Sequence, residues 1–166
     1  ASELSIVTQP GATYNPSNTG GTPTSKASPK SLTELLAAKV DLGFAQQSLE
    51  FSMRDLADAA KDEYPELPFD FQIKIIGTDL QKEGITRNQQ IRDFEAKATP
   101  VEEILTQLVR KANPVTTVTS PTEVDQKLVW LVGPDPDDAS KKIVLITTRS
   151  AAAEKNLTLP AVFVPK

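Results

Sequence analysis

The sequence predicts an α+β fold: two βαβ-type units, their helices packed on mixed or antiparallel sheet, behind a disordered N-terminal tail. Three observations predict it. A short alternating strand, a polar turn and an amphipathic helix follow one another twice, at 39–44, 45–48 and from Leu49, then at 91–96, 97–100 and from Val101. Two nearly continuous apolar runs, 128–132 and 143–147, read as strands covered on both faces. Residues 1–30 carry Pro10, Pro16, Pro23, Pro29, Gly11, Gly20 and Gly21 among Ser, Thr and Asn. They bury too little apolar surface to offset their ordering entropy. The expected organisation is a linker over 1–30, a first βαβ unit with a loop insert over 31–90, and a second βαββ unit with a C-terminal edge strand over 91–166.

The elements follow in order. Ser31 and Glu34 have the spacing of a capping box, and Leu32, Leu35 and Leu36 follow at helical spacing, which predicts a short helix over 31–38. Val40, Leu42 and Phe44 alternate with Asp41 and Gly43, the mark of a strand with one apolar face. Leu49, Met53, Leu56, Ala57 and Ala60 form one helical stripe, ended near Tyr64 by Pro65 and Pro68. Phe69, Phe71, Ile73 and Ile75 alternate as a strand closed by Gly77. The polar stretch 78–90 has only Leu80 and Ile85 as apolar anchors and reads as an ordered loop with a turn of helix. Thr99, Pro100 and Glu102 predict a helix start with Thr99 as N-cap and Pro100 at N1. Val101, Ile104, Leu105, Leu108, Val109 and Ala112 repeat the apolar stripe, and Asn113 and Pro114 end it. Residues 115–126 read as a Thr-rich loop. The runs 128–132 and 143–147 make a hairpin around the turn 133–138, a short helix follows near 150–155, and 157–164 is an edge strand marked by Pro160.

Superposing Leu49 on Val101 also pairs Met53 with Leu105, Leu56 with Leu108, Ala57 with Val109, and Leu42 with Phe94. This strand–helix pattern, entered through 32–44 and closed by 143–152, resembles the secretin and TonB-receptor short N-terminal (STN) modules, in tandem as in exported planctomycete proteins of unknown function. The likeness covers about 31–155 and rests on apolar spacing. The insert 78–90 and the long segment before Trp130 depart from it. What the resemblance implies is an extracytoplasmic module, in the periplasm or at the cell surface, that joins or gates a larger bacterial assembly.

Composition excludes several functions. Net charge is −4, and no basic run exceeds two residues, so nucleic acid is not an expected partner. Absent Cys removes disulfides, thiolate metal sites and Cys nucleophiles. Absent His removes the usual general base and the commonest transition-metal ligand. No apolar run approaches the roughly 18–20 residues that span a bilayer, so no membrane insertion is expected.

Candidate chemistry reads as structure at each position. Asp135, Asp137 and Asp138 lack the EF-hand pattern and read as a solvated acidic turn. Glu102 and Glu103 favour the positive end of a helix dipole. Ser150 with Lys155 is the one serine–lysine pair to weigh as a dyad, and it lacks a motif context. Neither phosphate-loop pattern is present. Trp130, flanked by apolar residues, reads as core.

The expectation is therefore a non-catalytic protein–protein interaction or structural module of a larger exported protein. It has no cofactor or metal, and it binds another protein or another segment of its own parent. The loop 77–90 is the expected partner-facing segment, with Thr78, Asp79, Leu80, Lys82, Ile85, Arg87 and Asn88 as its residues. The alternative is a small-ligand or glycan-binding domain, or an enzyme of unrecognised type.

Overall fold

A computed structural model describes residues 28–164. The expected linker over 1–30 lies, but for its last three residues, outside the described residues. The elements are α1 (Leu32–Ala37), β1 (Lys39–Ser48), α2 (Leu49–Glu63), β2 (Ile73–Ile75), α3 (Gly77–Lys82), β3 (Gln90–Pro100), α4 (Val101–Ala112), β4 (Leu128–Asp135), β5 (Asp138–Thr148), α5 (Arg149–Glu154) and a closing 3₁₀ turn (Ala161–Phe163). The fold is α+β, with one antiparallel and one mixed sheet.

The two units interleave. β1 pairs antiparallel with β3, and β2 pairs parallel with β5, so each sheet takes strands from both sides of residue 90. β4 completes the mixed sheet, antiparallel to β5, in the order β2–β5–β4. Helices α2 and α4 pack on the two-stranded sheet, on each other and on the mixed sheet. Their stripes carry the main core: Leu49, Met53 and Leu56 of α2 meet Ile104, Leu105 and Leu108 of α4, with Val40, Phe94, Trp130, Val144 and Ile146 from the strands. The far face of the mixed sheet has a smaller core of Leu131, Ile143, Leu145 and Ala152. A strand with both faces covered reads as a continuous apolar run, and that is the sequence of β4 and β5.

Several boundaries differ from the expectation. The polar turns at 45–48 and 97–100 do not exist: both strands run straight into their helices. Ser48 is the N-cap of α2 and accepts from the Phe51 N–H at 3.2 Å. Pro100, with φ −56°, is the N-cap of α4, and the Thr99 hydroxyl donates instead to the Lys97 carbonyl. A bulge opposite Asp41 absorbs a register shift between Val40 and Leu42. There Ala98 sits at φ 45° and donates its N–H to the Asp41 carboxylate at 2.6 Å.

The strand expected from Phe69 contracts to Ile73–Ile75, the three residues that find β5 as a partner. The turn expected over 133–138 narrows to Pro136 and Asp137, because Pro134 and Asp135 are still paired with β5. The C-terminal edge strand is absent: 157–160 is irregular and a 3₁₀ turn follows Pro160, whose ring removes the N–H a ladder needs.

Candidate functional site

β2 is an edge strand and its outer side faces a groove. Gln72 O accepts from Val144 N–H, and Ile76 N–H donates to Ile146 O. Strand alternation then turns the N–H and C=O groups of Ile73 and Ile75 away from β5. Among the described residues no second strand pairs with them. Instead they border a groove of about 420 Å³ against α2.

The helical wall is Glu50, Met53, Arg54, Ala57, Asp58 and Lys61, which share one face at i, i+3, i+4, i+7, i+8 and i+11. Met53 and Ala57 with Phe71, Ile73 and Ile75 make an apolar floor, and the charged residues stand at the rim. Ala57 has the smallest side chain of that wall. Arg87 closes one end. Its guanidinium stands 3.8 Å from the Glu50 carboxylate, and its backbone carbonyl takes the Glu50 N–H at 3.0 Å. It also lies over Gly77, where an added Cβ would meet it at 3.0 Å. Arg54 is held over the half-exposed ring of Phe51, 5.0 Å from its centroid.

A larger hollow of about 740 Å³ lies near the start of β1. One backbone group there is already occupied, since Tyr64 donates its hydroxyl to the Lys39 carbonyl at 2.9 Å.

The expected partner-facing loop is split by the structure. Residues 77–82 are helix α3, and Asp79, Leu80 and Ile85 are buried. Leu80 and Ile85 join the main core, so they are not surface residues. Thr78, Lys82, Arg87 and Asn88 are exposed, and of these only Arg87 borders the groove.

Asp79 has an internal role. Its carboxylate accepts from the Thr147 hydroxyl at 2.6 Å and from the Lys155 ammonium at 2.9 Å. Burial pushes its pKa up, but these hydrogen bonds outweigh it and hold Asp79 below the usual carboxylate range. Glu83 accepts from Ser150 at 2.7 Å and from Lys127 at 3.4 Å, and the Ser150 bond leads in holding its pKa down. Ser150 and Lys155 are thus each committed to a different carboxylate, and the dyad weighed from the sequence does not form.

Asp135 is buried rather than solvated. Lys74 bridges Asp135 and Asp137 at 2.8 Å each, which lowers the Asp135 pKa and raises that of Lys74. These contacts tie the hairpin turn to β2. Trp130 is core as expected, with its indole N–H donated to Thr106 at 2.9 Å.

Three polar residues organise the Leu128 end of the opposite edge of the mixed sheet: Asn113, which the sequence marks only as a helix stop, and Gln126 and Arg149, which it does not single out. Asn113 is buried; it donates to Val115 O and Asp125 O and accepts from the N–H groups of Lys127 and Leu128, at 2.9–3.1 Å. Gln126 donates to Leu128 O at 2.7 Å and to Val109 O at 3.2 Å. Arg149 spans three backbone carbonyls, those of Pro121, Gln126 and Phe163, at 2.8–3.2 Å, and burial pushes its pKa down.

Comparisons of the chain with protein-family models, with curated proteins and with solved structures find no match. Among the described residues no helix is long and apolar enough to cross a membrane.

Proposed function

We propose that this chain is a non-catalytic interaction module that takes an extended segment of a partner into the groove between α2 and β2. The observation that carries this reading is the one-sided pairing of β2: its inner edge is bonded to β5, and its outer edge opens on an apolar-floored groove. Main-chain bonds to Ile73 and Ile75 supply affinity, and alternate side chains of the guest contact Met53 and Ala57. The charged groups outside the groove support the same reading. Asp79, Glu83, Ser150 and Lys155 are engaged with one another or with neighbours that hold α3 and α5 on the sheet. The likeness to STN modules adds the setting we propose for it: a segment of a larger exported bacterial protein, outside the cytoplasm, whose partner is another protein or another part of the same parent.

The test is selection of ten-residue peptides from a random display library on the full chain. The expected result is enrichment of extended sequences with alternating apolar residues, whose binding Ala57→Arg abolishes. Binding that Ala57→Arg leaves unchanged, or no enrichment, overturns the reading.

A further inference from the structure

We infer that the partner segment is acidic at one end, and that its Asp or Glu side chains enter a basic hollow lined by Lys30, Lys141 and Lys142 beyond the Phe71 end of β2. The inference rests on the reading of the groove as a strand acceptor and adds the charge that the guest must carry.

Position comes first. The hollow, of about 430 Å³, is walled by residues 30–32, Phe69, Asp70 and residues 141–143. Phe71, which follows Asp70, is already on the groove floor. β5 reaches the same place from the inner side, because Val144 donates its N–H to the Gln72 carbonyl and Ile143 lines the hollow. A strand that lies along Ile75 and Ile73 and keeps its direction passes Phe71 and arrives there. Helix α2 runs the other way along the groove, with Glu50 beside the Arg87 that lies over Gly77, and Lys61 beside Asp70. The hollow thus continues the groove at its Lys61 end.

Charge separates the two. Within the groove the charges offset one another: Glu50 faces Arg87, Lys74 faces Asp135 and Asp137, and Lys61 faces Asp70. Arg54 and Asp58, one helical turn apart, cancel in sum. The hollow has no such balance. Its one carboxylate, Asp70, accepts from the Gln72 amide and stands 3.8 Å from Lys61. Glu34 takes the backbone N–H of Lys30 and not its ammonium. Asp138 lies 4.0 Å from Lys141 and is already bonded to the N–H and hydroxyl of Ser140. Among the described residues Lys142 and the Lys30 ammonium make no ion pair. Three ammonium groups therefore gather in one hollow of a chain whose net charge is −4. They repel one another, and an arriving carboxylate relieves that repulsion.

The walls add to this. Leu32, Phe69 and Ile143 line the same hollow, and apolar walls focus the field of the lysines, so a carboxylate gains more there than on an open surface. Lysines are flexible point charges without the fixed fork of arginine, so the hollow reads acidity and not one exact side chain.

The experiment uses the ten-residue library on the full chain. The recovered peptides should be rich in Asp and Glu at one end. The tightest of them should bind Lys30→Glu/Lys142→Glu about tenfold more weakly than wild type, and its affinity for wild type should fall as salt rises from about 0.05 to 0.5 M. The same peptide with its acids changed to Asn and Gln should lose a similar factor on wild type, which gives the reading without any substitution in the fold.

The outcomes keep the two readings apart. Peptides that depend on Ala57 but show no acidic preference, or whose affinity the neutral version keeps, overturn the inference and leave the groove reading standing. Binding indifferent to Ala57→Arg overturns both.

Discussion

The mixed sheet has two edges, and they differ at one end of β4. At β4 the outer backbone groups of Leu128 are taken by side chains: its N–H bonds to Asn113 and its C=O to Gln126. Arg149 gathers the carbonyls of Pro121, Gln126 and Phe163 and so binds the neighbouring loops over that end. At β2, among the described residues, no side chain caps the outward groups of Ile73 and Ile75. The strand is three residues long, and Ile73 and Ile75 face a groove. An unpaired edge is a template for another strand, and proteins commonly blunt it. The side chains cap the β4 edge only at Leu128; the outward groups of Trp130 and Val132 follow the same alternation, so what sets β2 apart is the groove beside its unpaired groups.

The strongest way to break this comparison is to open the capped end of β4. Asn113→Ala leaves two backbone N–H groups and two carbonyls without their partner, with an expected cost of about 2–4 kcal/mol in urea unfolding. Peptide binding at the β2 groove should persist wherever the variant is folded. A loss below 1 kcal/mol would mean that Asn113 does not cap that end.

Next in size is Asp79→Ala. It strips Thr147 and Lys155 of their acceptor, and because Lys155 is half exposed the expected loss is nearer 2 kcal/mol than the larger cost of orphaning a fully buried ion. This variant separates the two roles weighed for the segment 77–90, since a residue that only pins α3 to β5 changes stability and leaves peptide affinity alone.

The pH dependence follows from the same carboxylates. Asp79, Glu83, Glu123, Asp135 and Asp138 all have folded pKa values below their ordinary ones. Their contribution is therefore complete above the unfolded values, about 4, and is lost as pH falls through the folded ones. The melting temperature should hold from pH 7 to about pH 5 and drop below about pH 4. The drop should be shallower in Asp79→Ala, and equal slopes would contradict the assignment of Asp79.

Much of the fold was legible because it rests on apolar spacing. The stripes of α2 and α4 and the runs in β4 and β5 name the main core, and Ser31 with Glu34 marks α1. What escaped depends on distant pairing. Gln46 and Gln47 read as a turn because they are polar, yet they lie opposite Arg92 and Ile91 in the ladder. Phe69 and Phe71 alternate like strand residues, but β5 pairs with only three residues beyond them. Asn113 read as a helix stop, which it is, while its four hydrogen bonds come from segments up to 15 residues away. Of the expected partner-facing residues Arg87 alone reaches the groove. Ala57 was read as part of a core stripe; its second role, as the low point of a binding wall, exists only because β2 lies opposite.

The last expected change in stability is the most discriminating one for function. Ala57 is buried on α2, so Ala57→Arg must push its stem out along the apolar floor to bring its head to water, and unfolding should shift by about 1–2 kcal/mol. Peptide binding should nevertheless be lost. A variant that no longer folds would say only that α2 was disturbed.

The most direct measurement is an amide chemical-shift titration of the full chain with a peptide selected on it. The expected result is that the largest changes fall on Ile73 and Ile75 and on Met53 and Ala57 across the groove, with Leu128 at the capped end of β4 unmoved. Changes centred on the β1–β3 sheet or on β4, with Ile73 and Ile75 silent, would contradict the account.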